Sequence, residues 1–214
     1  MEVAHGVAAL PGADRAVPAA HEWVLGVLAA GGLWLALWRG PWRHAGIAAI
    51  AIGLWLWSAA TPPRPELLIA PGGRLIGLLG PEGRVLDRAR GQAYAAETWL
   101  RRDGDRVIQA EAAARPGLVR ARGLVRGAIG DGGWEVLALS GRGWTAERLA
   151  ALCSAERLIV APMARAAPEG ECRFLGKAAL GRSGAISVSA APGGLRIETT
   201  APTTRRPWNG VVRR

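Results

Sequence analysis

LLIAPGGRLIGLLGPEGRVLDR, Leu67 to Arg88, is the stretch from which the fold class is read. Leu67–Ala70 is a short apolar run that ends in Pro71-Gly72-Gly73. Arg74–Leu79 reads as a second strand, and Pro81-Glu82-Gly83 turns the chain into a third, Arg84–Arg88. Proline presets φ in a turn and glycine supplies positive φ, so both connections carry what a hairpin needs. The domain therefore begins in strands.

Downstream, helices and strands mix. Gln92–Arg102 has Ala, Glu and Leu at helical spacing and stops at Asp103-Gly104. Leu118–Arg126 and Trp134–Leu139 read as strands. Thr145–Cys153 reads as a helix with Thr145 as its N-cap, followed by an apolar strand, Arg157–Ala161. Ala185–Ala190 and Leu195–Thr200 alternate around a Pro-Gly-Gly turn and form a terminal hairpin. This order predicts an α/β or α+β domain over residues 67–204. No fixed-period repeat is present.

Upstream, residues 61–66 hold three prolines in TPPRP and read as an extended linker. Before it, residues 22–60 contain two uncharged runs, Trp23–Trp38 and Ala45–Ala60, each about 24 Å long as a helix at about 1.5 Å per residue. Both are apolar all round, which predicts a two-helix transmembrane hairpin rather than a buried hairpin of a water-soluble protein. Trp23, Trp38, Trp42 and Trp57 would sit at the headgroup level. Gly40 and Pro41 make the turn, and Arg39 and Arg43 make it basic. The positive-inside rule then places the turn in the cytoplasm and the downstream domain in the periplasm. Residues 1–21 lack the basic start and apolar core of a signal peptide and read as a short amphipathic helix and loop.

Composition narrows the chemistry. The chain has 214 residues, one of them lysine, with 27 Lys+Arg against 17 Asp+Glu. Of these, 24 basic and 14 acidic residues lie beyond Thr61, so the net +10 belongs to the domain and its tail. Abundant Arg, Ala and Gly also follow from a GC-rich coding bias, which makes charge alone a weak pointer to nucleic acid. All three His precede position 45, which removes a His-based metal cluster or a Ser-His-Asp triad from the domain. No glycine-rich phosphate loop is present. Asp103 and Asp105 are too few for a Ca²⁺ loop and read as a solvated turn, as do Glu169 and Glu171. Cys153 and Cys172, 19 residues apart, form a disulfide if the domain is periplasmic; two packed free thiols are the alternative. The tail, 205–214, sets Arg205 and Arg206 beside Pro207-Trp208, a cluster suited to stacking on a base or to packing on the domain.

The order of these features resembles the C-terminal region of the ComEC family, the membrane proteins of competence and DNA internalisation, in its alphaproteobacterial form. VAALPGA at Val7–Ala13, the hairpin with its WRGPWR turn, and RPELLIAPGGRLIGLLGPEGRVL at Arg64–Leu86 are similar to successive family segments. So are ETWLRRDGD at Glu97–Asp105, the paired-cysteine stretch Cys153–Cys172, GRSGAISV at Gly181–Val188 and RRPW at Arg205–Trp208. Glu66, Glu156 and Ile186 depart from the Asp, Asp and His of the family pattern. A further cysteine pair, the large channel region and the N-terminal domain are missing, so the resemblance implies a piece of a larger machine.

The resemblance implies a soluble domain of degenerate metallo-β-lactamase-like fold, without the metal ligands, cofactor or hydrolytic activity of other members. It implies an inner-membrane location, with lipids, single-stranded DNA and the missing channel portion or other competence proteins as partners. Arg101, Arg102, Arg205, Arg206 and Trp208 are the candidate DNA contacts. The alternative is a membrane-anchored periplasmic domain that binds protein partners and no nucleic acid.

Overall fold

The computed structural model describes residues 21–59, 63–130 and 133–201. The expected amphipathic segment over 1–20 and the tail with Arg205, Arg206 and Trp208 lie outside the described residues. The chain forms two compact units. One takes in the helical hairpin and Leu100–Arg106, the other Pro65–Trp99 and the chain from Val107 onward.

In the first unit, α1 (Glu22–Leu37) and α2 (Ala45–Ala59) are joined by a 3₁₀ turn over Pro41–His44. Gly40, at φ +92°, reverses the chain just before Pro41. The Trp34 Nε1–H donates to the Trp42 carbonyl at 3.0 Å and ties the turn to α1. The helices meet through glycine. A Cβ on Gly46 would lie 2.6 Å from the Gly31 carbonyl oxygen, and one on Gly53 would lie 2.7 Å from Leu28 Cδ2. Of α1 only Val24 and Gly31 are buried, and of α2 only Gly46 and Gly53. Leu25, Leu33, Trp34, Ile47, Leu54 and Trp55 are exposed. The hairpin is thus present, with Gly31, Gly46 and Gly53 facing Ile50, Leu35 and Leu28 of the opposite helix and further large apolar side chains outside. Its helices have 16 and 15 residues, and no helix among the described residues is long and apolar enough to cross a membrane. Their lengths match the two uncharged runs, about 24 Å each, which are shorter than the usual membrane span of about 20 residues.

The second unit is an α+β domain of two five-stranded sheets. The first has the order β10 (Gly194–Thr199), β9 (Ile186–Ala191), β1 (Leu67–Ile69), β2 (Ile76–Gly80), β3 (Gly83–Leu86) and is antiparallel throughout. The second runs β4 (Val119–Ala121), β5 (Leu124–Ile129), β6 (Trp134–Leu139), β7 (Arg157–Ala161), β8 (Arg173–Gly176). Within it β6, β7 and β8 are parallel. Alternation along the strands sends Leu67, Ile69, Ile76, Leu78 and Val85 from the first sheet to meet Ile129, Val136, Leu158 and Val160 from the second. Burying one such side chain contributes roughly 1.5–3 kcal/mol, so this inter-sheet layer is the main source of the domain's stability.

Helices cover the outer faces. Trp99, on α3 (Ala93–Arg102), lies over Gly77 of β2, where a Cβ would come within 3.2 Å of its ring. Residues of α4 (Gln109–Ala114) contact β3. On the second sheet, Leu149 of α5 (Ala146–Leu152) packs with Leu137, Leu139 and Ile159. Thr145 caps α5, its Oγ1 accepting from the Arg148 N–H at 3.4 Å. The last helix, α6 (Lys177–Ser183), sends Leu180 into the inter-sheet core.

Several expected elements shift. The strand expected over Leu118–Arg126 is two strands, β4 and β5, because Arg122-Gly123 turns the chain with Gly123 at φ +77°. The strand expected from Arg74 starts at Ile76, since the Leu75 carbonyl closes the preceding loop on the Ala70 N–H. The strand expected over Arg84–Arg88 ends at Leu86, because the Ile76 N–H donates to the Asp87 side chain at 2.9 Å in place of a ladder carbonyl. The helix α4 and the strand β8 were not expected at all.

Candidate functional site

The register fixes which connections share one end of the sandwich. Leu124 pairs with Leu139, Ala138 with Val160, and Ala161 with Gly176, so the carboxyl ends of β6, β7 and β8 lie level with the β4–β5 turn. In the other sheet Ile69 pairs with both Ile76 and Ile186, and Asp87 donates its N–H to the Ile76 carbonyl. The sheets are joined at this end by Gly73, at φ +67°, whose added Cβ would lie 2.7 Å from Pro162 Cγ. Only glycine allows both that backbone and that approach. A shallow cleft opens between the sheets here, lined by Gly73, Asp87, Arg88, Ser140 and Pro162 among others. The carboxyl ends of parallel strands are where open α/β sheets take ligands.

Basic residues gather at this end. Arg74 lies in the β1–β2 connection, Arg88 and Arg90 after β3, Arg122 in the β4–β5 turn, Arg142 after β6, Arg165 after β7 and Lys177 after β8. All seven are exposed. The carboxylates facing them include Glu147, in the first turn of α5, and Asp87, whose Oδ2 accepts from Arg88 at 2.7 Å and whose Oδ1 accepts from the Ile76 N–H at 2.9 Å. The other six cations have no ion pair among the described residues. The opposite end carries Glu66, Glu82, Glu156 and Glu171 in its connecting segments, with Arg115 among them and Arg157 and Arg173 at the first residues of β7 and β8. The exposed cations of the connections without an ion pair among the described residues therefore gather at the cleft end.

Other arginines are tied to backbone carbonyls. Arg84, 0% exposed, donates to the carbonyls of Gly77 and Pro65, both at 3.2 Å. Arg115 donates to the Arg84 carbonyl at 3.1 Å. Arg120, though exposed, donates to the carbonyls of Ala113 at 2.6 Å and Leu86 at 2.7 Å. Arg157 bridges Glu135 at 2.8 Å and the Leu152 carbonyl at 3.0 Å. These guanidiniums satisfy backbone acceptors between elements.

Arg101 and Arg102 end α3, where basic side chains suit the negative end of the helix dipole, and they group with the helical unit rather than with this edge. Trp23, Trp38 and Trp42 are exposed on the hairpin, with Arg39 and Arg43 exposed in its turn. Trp57, near the end of α2, is partly buried. Cys153 and Cys172 are bonded, with Cα atoms 5.1 Å apart, joining the end of α5 to the start of β8. Glu66 accepts from the Ala190 N–H at 3.0 Å and so ties β9 to the start of β1. Ile186 is 1% exposed in the core. Among the described residues, no group of three or more His, Cys, Asp or Glu could hold a metal ion. The edge arginines were missed in the sequence. Each stands beside a turn-forming Gly or Pro or closely follows one, but only the topology gathers those turns at one end. No protein-family model, curated protein or solved structure matches the chain.

Proposed function

We propose that this chain is a membrane-anchored part of a ComEC-like DNA-uptake channel that helps carry single-stranded DNA during natural transformation, with no hydrolytic step of its own. The observation that carries this reading is the cluster of exposed cations at the cleft end of the sandwich. A strand presenting one phosphate per nucleotide meets Arg74, Arg90, Arg122, Arg142, Arg165 and Lys177, none of them neutralised by a neighbouring carboxylate. Neutralising phosphates releases counterions, which drives sequence-independent binding. Trp144, half-buried beside Arg142, offers an indole for base stacking.

In this reading the chain sits in the bacterial inner membrane with the domain on the periplasmic side. The basic turn at Arg39 and Arg43 supports that orientation, and the Cys153–Cys172 disulfide suits an oxidising compartment. The paired sheets with helices on their outer faces support a degenerate metallo-β-lactamase-like sandwich. The partner would be the channel-forming portion of such a machine.

The test is binding of a labelled oligothymidylate by the full chain in detergent micelles, read by fluorescence anisotropy at low and moderate salt. Six phosphate contacts give an affinity loss of about 300-fold for a fourfold rise in salt. Replacing Arg74, Arg122, Arg142 and Arg165 by Gln should reduce that loss to about 7-fold. Binding that is absent, or unaltered in this variant, overturns the proposal.

A second reading, a membrane-anchored domain for protein partners, is favoured by the arginines already used on backbone carbonyls, Arg84, Arg115, Arg120 and Arg157. It expects no salt-sensitive binding of DNA.

A further inference from the structure

We propose that the hairpin of α1 and α2 inserts as a preformed unit into lipid bilayer and favours bilayers thinner than usual. This rests on the membrane reading above and goes beyond it to the kind of membrane that fits. Two observations identify lipid as the occupant. Large apolar side chains stand exposed on both helices, among them Leu25 at 72%, Ile47 at 54% and Trp55 at 65%. Between the helices, Gly31, Gly46 and Gly53 receive Ile50, Leu35 and Leu28 of the facing helix. Close backbone approach through small residues, with further apolar bulk facing outward, is how helices pack in lipid. A water-soluble hairpin would place polar residues outside.

The dimensions identify the thickness. At 16 and 15 residues the helices measure about 24 Å and 22 Å, against a typical hydrocarbon core of about 30 Å. The turn cannot stop inside the hydrocarbon, because Arg39 and Arg43 need water or headgroups. A hairpin too short for its bilayer thins the membrane locally or lets its flanking side chains snorkel, at a cost that grows with each ångström of mismatch. Trp38 and Trp42 at the turn and Trp23 at the open end are placed to do the latter.

The test uses the full chain reconstituted into phosphatidylcholine vesicles of short, medium and long acyl chains. Brominated acyl chains quench only tryptophans that reach the hydrocarbon. Quenching is expected to be several-fold stronger in short-chain than in long-chain vesicles. A variant with one extra apolar turn after Trp23 and another after Leu54 lengthens the open end and leaves the glycine seam intact. Its optimum is expected to move to longer chains. Equal quenching at every thickness, or an unmoved optimum in the lengthened variant, overturns the thin-bilayer inference and leaves membrane insertion standing. No quenching in any vesicle, with a defined oligomer of the chain instead, overturns both.

Discussion

Arg120 and Arg122 stand two residues apart in the same hairpin and should fail in opposite ways. Arg120→Met removes a guanidinium whose Nη2 donates to the Leu86 carbonyl at 2.7 Å and to the Ala113 carbonyl at 2.6 Å. Those acceptors belong to β3 and α4, so the side chain joins β4 to elements on the other sheet's side of the domain. Hydrogen bonds to a charged donor contribute about 1.5–3 kcal/mol each, and the methionine can make neither. Arg120 itself is exposed, which lets water take over part of the lost bonding, so a loss of about 2–3 kcal/mol is expected. Arg122→Met removes an exposed turn residue with no ion pair among the described residues, and stability should stay within about 0.5 kcal/mol. The assay is chemical denaturation of the full chain in micelles followed by near-ultraviolet circular dichroism, with Trp134 and Trp144 reporting on the domain. In parallel, Arg122→Met should lower the salt slope of oligothymidylate binding by about 0.7, while Arg120→Met leaves it unchanged in protein still folded. Equal stabilities for the two variants would show that the carbonyl bonds of Arg120 carry no weight in the fold.

Gly127→Ala should destabilise the domain by about 1–3 kcal/mol by overpacking, since its Cβ would lie 2.7 Å from Leu78 Cδ2 and 2.8 Å from Leu118 Cδ2; denaturation midpoints check this. Gly46→Leu should separate α1 from α2, because even the first carbon meets the Gly31 carbonyl oxygen at 2.6 Å. Cross-linking between cysteines placed at Ala30 and Ala49 should then fall several-fold, and undiminished cross-linking would count against the glycine seam. Reducing the Cys153–Cys172 bond, or replacing Cys153 by Ser, should cost about 3 kcal/mol for a loop of this length, read as a lower melting temperature.

Much of the domain was legible because its signals are local. Trp134–Leu139 and Arg157–Ala161 are apolar runs of strand length, and the structure forms both as expected. Thr145 caps α5 because a side-chain oxygen ahead of a helix finds an amide in its first turn whatever surrounds it. The Arg122-Gly123 turn was hidden because arginine is not a turn former and a lone glycine in a strand pattern reads as a weak spot. The Ala-rich α4 has six residues and no cap hydrogen bond, too little for periodicity to show. β8, with only Phe174 and Leu175 as large apolar residues, earns its place by parallel pairing with β7, which no local pattern announces.

By itself the sequence determined most of the domain's elements, though not α4, β8 or the split of β4 from β5, together with the break between hairpin and domain, the apolar character of both helices and the location of the net positive charge. These depend on residue type and short-range spacing. The tertiary structure alone decided which arginines are spent and which are presented. Arg120 is turned toward two backbone carbonyls, while Arg122 is left at an edge that parallel strands and a shared register assemble from six separate connections. It also decided that the two helices meet at glycines, with Gly31 against Gly46, while Leu25, Leu33 and Leu54 stand outside. Both outcomes depend on contacts between residues far apart in the chain, where the geometry of close packing and of backbone hydrogen bonding selects among side chains that look alike in sequence.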